Sequence, residues 1–218
     1  MPLPQQDEAI AVTIQPLGLQ GMLGIPETPA GLVLFAHGSG SGQLSPRNNH
    51  VARGLQAAGL ATLLLDLLTP AEEQDRGNVF DIPLLASRLA DATAWARHTQ
   101  ALAASPTGYF GASTGAGAAL LAASQANGRI AAIAPRGGRP DLAGSAALAK
   151  VRAPTLLTVG SRDLPVIELN RAAMRHLHAE HELVIVPGAS HLFEEPGTLD
   201  QVIGHAVWWF LSHFVRRA

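Results

Sequence analysis

The chain has 218 residues, 47% of them hydrophobic and 15% charged, enough for a well-formed core and unlike a disordered or polyelectrolyte chain. Its formal charge is -2, Lys150 is its only lysine and no basic stripe runs along it, which argues against nucleic acid as a partner. With no cysteine, disulfides, thiolate metal sites and a thiol nucleophile are all excluded.

The N-terminal stretch "MPLPQQDEAI" is polar and acidic, and no apolar run reaches membrane-spanning length, so the expected setting is soluble and cytoplasmic. "AIAVTIQPL" (9–17) and "LQGMLGIP" (19–26) read as two opening strands in a hairpin. "GLVLFAH" (31–37) is continuously apolar, as a strand buried on both faces should be. Ser45-Pro46 is an N-cap followed by proline at the first helical position, which predicts a helix over 46–59. "LATLLLD" (60–66) is the next buried strand. From Ile82 the positions Leu85, Leu89, Ala92, Ala96 and Thr99 recur three or four apart, the period of a long amphipathic helix. A strand (107–112), a helix (114–126) and the strand "RIAAIAP" (129–135) follow, then a loop and short helix to 150. A strand (154–160), a helix (165–178), a strand (182–188) and a closing helix (197–215) complete the chain.

Strands alternating with helices, in a chain without repeats or linkers, predict one α/β domain over 1–218 with a mostly parallel sheet of about eight strands. In such sheets the crevice that does chemistry lies beyond the carboxyl ends of the strands. The residues there are His37 to Gly42 ("HGSGSG"), Asp66, Ser113 within "GASTG", Arg136 to Asp141 ("RGGRPD"), Asp163 and His191. Ser113, Asp163 and His191 thus close three different strands, in that order.

A serine hydroxyl attacks carbonyl carbon only if a base takes its proton, and an imidazole does this near neutral pH. A carboxylate holds that imidazole in the useful tautomer and stabilises the imidazolium. Gly111 and Gly115, two positions either side of Ser113, permit a sharp strand-to-helix turn that exposes the hydroxyl. The N–H groups of Thr114 and Ser39 are the candidates for holding the oxyanion. Gly38, Arg136 and Arg139 are the candidates for contacting substrate.

The segments "FAHGSGSG", "GYFGASTGAGAAL", "LLTVGSRD" and "VPGASHLF", spanning about 31 to 195, carry a resemblance to the α/β-hydrolases, and within them to the dienelactone hydrolase-like group. Dienelactone hydrolase itself uses a cysteine nucleophile, where this chain has Ser113, so its substrate does not carry over. The resemblance implies a Ser113–His191–Asp163 triad and hydrolysis of a small carboxylic ester or lactone, without metal or organic cofactor. Segment 136–153, where larger relatives insert a lid, is short, so an open site is expected.

Other assignments compete at several positions. Asp141 follows the preceding strand and Asp66 an earlier one, and either is an alternative acid to Asp163. "HGSGSG" and "GAGAAL" lack the spacing of a dinucleotide fingerprint, and Lys150 follows alanine rather than the glycine of a phosphate loop. "HLHAEH" (176–181) looks like a metal motif but straddles a helix end and a strand start, where histidines cap carbonyls. Arg136 and Arg139 are expected on the rim, either solvated and paired with Asp141 or receiving a substrate carboxylate. Trp208, Trp209 and Phe210 are expected to pack the last helix, partly in the core.

Overall fold

The computed structural model describes residues 9–214. The first eight residues, and Val215 at the expected end of the last helix, lie outside that range. β1 (Ile10–Ile14) and β2 (Leu19–Gly24) form the expected antiparallel hairpin, with Ile10 opposite Leu23. They continue into β3 (Leu32–Ala36), β4 (Ala61–Leu65), β5 (Thr107–Gly111), β6 (Ala132–Ile133), β7 (Thr155–Gly160) and β8 (His181–Val186). The eight strands make one sheet in the order β1-β2-β4-β3-β5-β6-β7-β8. β2 runs antiparallel to both its neighbours, and every pairing from β4 onward to β8 is parallel.

The helices are α1 (Pro46–Ala57), α2 (Arg76–Val79), α3 (Ile82–His98), α4 (Thr114–Gln125), α5 (Ser145–Leu148), α6 (Leu164–Met174) and α7 (Thr198–Phe214). Successive side chains of a strand point to opposite faces. Leu32, Leu34 and Ala36 of β3 therefore join the core formed with α3 and α4, while Val33 and Phe35 join the one formed with α1 and α7. This double burial explains why the central strands read as continuous apolar runs. Trp209 and Phe210 are fully buried against the sheet, whereas Trp208 is exposed, as the packing expectation requires. Among the described residues no helix is long and apolar enough to cross a membrane.

Most elements shift by one to three residues at an end, and two are cut back further than the sequence reading. β6 is reduced from 129–135 to two residues, because Arg129 N–H closes a turn onto the Ala126 carbonyl and Pro135 has no N–H to give the ladder. Past Pro135 the chain rejoins the sheet at Arg136 alone, bridged to Ala112 and Thr158. α6 stops at Met174 rather than 178, and the "HLHAEH" stretch is a turn leading into β8. There the His181 ring meets the Ala179 carbonyl at 2.8 Å, at the end of the sheet away from the strand-end crevice.

Candidate active site

Ser113 sits between the last residue pairs of β5 and the first turn of α4, at φ 49° and ψ -120°. For a residue with a Cβ this is a sparsely populated conformation that costs about 1–3 kcal/mol, so the surroundings must hold it. They do so through backbone bonds: Ala112 N–H to the Ala36 carbonyl (2.9 Å), Arg139 N–H to the Ser113 carbonyl (3.0 Å), and Ser113 N–H to the Arg136 carbonyl (3.4 Å). Glycine is required where the turn crosses β3. A Cβ at Gly115 would lie 2.0 Å from the Ala36 carbonyl oxygen, and one at Gly38 would lie 3.0 Å from Ser113 Cβ.

Asp163 occupies the N-cap position of α6 yet its side chain makes no capping bond. Its Oδ2 instead accepts from His191 Nδ1 at 2.6 Å. That bond sets the tautomer with hydrogen on Nδ1, leaving the Nε2 lone pair free to face the cavity. The two loops are tied to one another at several points. Arg162 N–H donates to the Ala189 carbonyl (3.0 Å) and Gly188 N–H to Ser161 Oγ (2.8 Å). Glu195 accepts from Ser190 N–H (3.0 Å) and Ser190 Oγ (3.2 Å), and pairs with Arg162 at 3.4 Å. The Ser190 N–H first, then the Ser190 hydroxyl and Arg162, hold the Glu195 carboxyl below its ordinary value of 4.5. Because its folded value is depressed, this latch contributes stability above pH 4.5 and loses it as pH falls further. Glu195→Gln should therefore lower Tm at pH 7, with the difference from wild type shrinking in thermal melts below about pH 4.5.

Asp141 and Asp66 do not meet His191. Arg139 holds Asp141 by two parallel bonds of 2.9 and 2.8 Å, one of the two roles expected of it, and it is not among the residues lining the cavity that holds Ser113. Asp66 accepts from Gln43 N–H (2.8 Å) and Gln43 Nε2 (3.0 Å), fixing the loop that follows β3. His37 helps: its ring donates from Nδ1 to the Gly38 carbonyl (2.9 Å) and accepts Leu67 N–H at Nε2 (3.0 Å). Ser39, the other candidate oxyanion donor, has its amide engaged. Its N–H donates to Thr114 Oγ1 at 3.1 Å, because the residue after Ser113 carries a hydroxyl that reaches back to the β3 loop. The Thr114 N–H, in the first turn of α4, has no intrahelical acceptor.

Ser113, His191, Gly38, Ser39, Arg47 and Arg136 share one cavity of about 260 Å³. Among the described residues no hydrogen bond joins Ser113 Oγ to His191, as is common before a substrate draws such groups together. Arg136 is not on a solvated rim. It is 5% exposed, with its guanidinium donating to Asn48 Oδ1 (3.3 Å) and the Leu192 carbonyl (3.5 Å). Burial, then the neighbouring Arg47 charge, push its pKa down to about 10. Arg47, Asn48 and Leu192 are the site residues that sequence reasoning missed; the Ser45-Pro46 helix start pointed toward the first two, and the His191 motif "VPGASHLF" contains the third. Two larger hollows, about 740 and 530 Å³, lie where β5 to β7 begin, lined by residues such as Arg129, Arg152 and Lys150. Neither contains the serine or the Asp–His pair.

Known proteins are similar to this chain in sequence and fold. A family model described as an alpha/beta hydrolase domain matches residues 29–207. A dienelactone hydrolase from Anabaena variabilis of known crystal structure is 53% identical, with a TM-score of 0.89, over 95% of this chain and 98% of that one. Est1E from Butyrivibrio proteoclasticus, 16% identical with a TM-score of 0.81 over 96% of this chain and 100% of its own, shares the fold. Two curated Mycobacterium tuberculosis proteins, of strains CDC 1551 / Oshkosh and ATCC 25618 / H37Rv, are 55% identical over 210 residues and carry the provisional name phosphoribosyl transferase. That match takes in 96% of this chain but 47% of theirs, so the chain spans about half the length of the curated relatives it matches. With a matched family model over most of its length and a solved relative at this identity, the chain belongs to the α/β-hydrolase family, in its dienelactone hydrolase-like branch.

Proposed function

We propose that this chain is a serine hydrolase that cleaves small carboxylic esters or lactones through an acyl-enzyme on Ser113. The observation that carries the reading is the 2.6 Å contact between Asp163 and His191 Nδ1, on a cavity that His191 shares with Ser113. His191 Nε2 takes the Ser113 proton as Oγ attacks the carbonyl carbon, then delivers it to the departing alcohol; for a lactone, that alcohol stays attached to the acyl group. Water activated by the same nitrogen attacks the acyl-enzyme and releases the acid. Thr114 N–H faces the developing oxyanion, and Ser39 N–H joins it when the oxyanion displaces the Thr114 hydroxyl as its acceptor. Gly38 lets the acyl group pass close to the β3 loop. No step in this sequence calls on a metal or an organic cofactor. The cavity is smaller than the roughly 300–1,000 Å³ of sites for drug-sized ligands, which favours short substrates.

The transferase name of the M. tuberculosis relatives is not carried to this chain. It spans about half their length, and the groups that meet at its cavity are suited to acyl transfer. A serine-directed fluorophosphonate should label Ser113 on the intact protein, read by peptide mass spectrometry. Ser113→Ala should lower kcat for p-nitrophenyl acetate by roughly 10⁶-fold. Unlabelled protein, or a fully active variant, would overturn the assignment.

A further inference from the structure

We propose a second site, at the end of the sheet opposite Ser113, where converging basic side chains receive a small organic molecule that carries a diphosphate or a pair of phosphates. Two hollows, about 740 and 530 Å³, meet there and share Asn127 and Arg152 in their walls. Arg97, Arg129, Arg152 and His213 line the larger one, and Lys150, Arg152 and His178 the smaller. These side chains come from segments far apart in sequence: the last turn of α3, the turn after α4, the loop before β7, the turn before β8 and the end of α7. Neither lining contains an Asp or Glu, although the whole chain carries a formal charge of -2. The fold thus gathers positive charge here against its own net sign.

Helix capping accounts for only part of this charge. Arg97 gives one N–H to the Arg129 carbonyl at 3.2 Å, and Arg129 Nε–H goes to the Ala126 carbonyl at 3.1 Å, beside the last turns of α3 and α4. A guanidinium has five N–H groups, so each tether leaves others for a ligand. Among the described residues, the single carboxylate paired with a lining side chain is Glu180, 3.4 Å from His213 and itself 65% exposed. An exposed pair of this kind contributes little, and it leaves Arg97, Arg129, Lys150 and Arg152 without a counter-charge.

The larger hollow also has an apolar wall, formed by Pro106, Ile130, Pro154 and Phe214, and its volume falls within the roughly 300–1,000 Å³ of small-ligand sites. Apolar wall and cations together suit an organic body with anionic groups. Lys150, the chain's only lysine, stands on the other side of Arg152, so two anionic groups are met better than one. Phosphate fits better than carboxylate, because its tetrahedral oxygens accept from cations on several sides while a carboxylate offers two oxygens in one plane. Thr107 and Pro154, at the starts of β5 and β7, line the larger hollow, whereas Ser113 and Asp163 follow the other ends of those strands. Strands of this length separate the two regions by roughly 15–20 Å, so a ligand here leaves the Ser113 cavity open.

Isothermal titration calorimetry on the full chain tests this, in magnesium-free buffer at constant ionic strength, with sodium pyrophosphate and adenosine 5′-diphosphate as probes. Both should bind with a Kd of about 1 mM or tighter, and sodium sulfate about tenfold more weakly or worse. Arg152→Gln, at the residue common to both hollows, should weaken both probes by about tenfold or more, the worth of a charge-assisted hydrogen bond. Arg129→Gln should do the same for adenosine 5′-diphosphate. Both arginines are exposed, so the variants should melt as the wild type does. Ser113→Ala should bind both probes unchanged, which keeps this result separate from the fate of the serine hydrolase reading. The proposal is overturned if neither probe binds, if sulfate binds equally well, if both arginine variants keep wild-type affinity, or if Ser113→Ala abolishes binding. A glutamate-rich peptide that binds where the phosphates do not would also overturn it, making the patch a docking face for an acidic protein segment.

Discussion

Asp163→Asn should lower kcat on short p-nitrophenyl esters by about 10⁴-fold and leave KM within a few-fold. An amide in place of the carboxylate still fits beside His191, but it no longer compels the imidazole to carry its hydrogen on Nδ1. Nor, in the proposed mechanism, does it stabilise the imidazolium that forms as Ser113 attacks. Both losses fall on the transition state, so they appear in kcat rather than in substrate affinity. The control is Asp141→Asn. Asp141 spends both oxygens on Arg139, at 2.9 and 2.8 Å, and its loss should change kcat less than about threefold. Steady-state kinetics on the two purified variants decides the matter; a large loss in Asp141→Asn with an active Asp163→Asn would exchange the two roles.

Gly115→Ala should destabilise the fold by about 3 kcal/mol or more, or prevent folding outright. The added Cβ would stand 2.0 Å from the Ala36 carbonyl oxygen and 2.5 Å from that of His37, both backbone atoms of β3 and the loop behind it. No rotamer change relieves a clash with backbone, so either α4 lifts from the sheet or the Ser113 turn opens. Gly204→Ala makes the contrast. Gly204 lies within α7 with nothing within 4 Å of its prospective Cβ, so alanine there should stabilise by about 0.4–1 kcal/mol through helix propensity and a less flexible unfolded chain. Urea denaturation of the two variants beside the wild type reads both effects.

The sheet was legible because burial on both faces writes itself into a sequence as unbroken apolar runs; β3, β4, β5 and β7 lie within the runs 31–37, 60–66, 107–112 and 154–160. The residues at their carboxyl ends were legible for the same reason, since a strand that is located also locates its end. What was hidden depends on contacts between distant segments. Arg136 reads as a loop arginine between a proline and two glycines, yet Asn48, 88 positions earlier, draws it into the interior. The Ser39 amide could not be seen to be taken, because its acceptor is a side chain 75 positions away. The short β6 was misjudged for a local reason: "RIAAIAP" is apolar enough for a strand, but a turn at one end and a proline at the other leave two residues to pair.

The bond between Asp163 and His191 has a consequence for how this chain can evolve. A residue at the N-cap of a helix ordinarily turns its oxygen onto the free amides behind it, worth about 1 kcal/mol. Asp163 sits at that position on α6 and gives its oxygen away instead. Under the proposed role of Asp163, heat resistance and turnover pull on this position in opposite directions. A lineage released from the need for turnover would be free to drift toward serine or threonine there, becoming hardier as it fell silent.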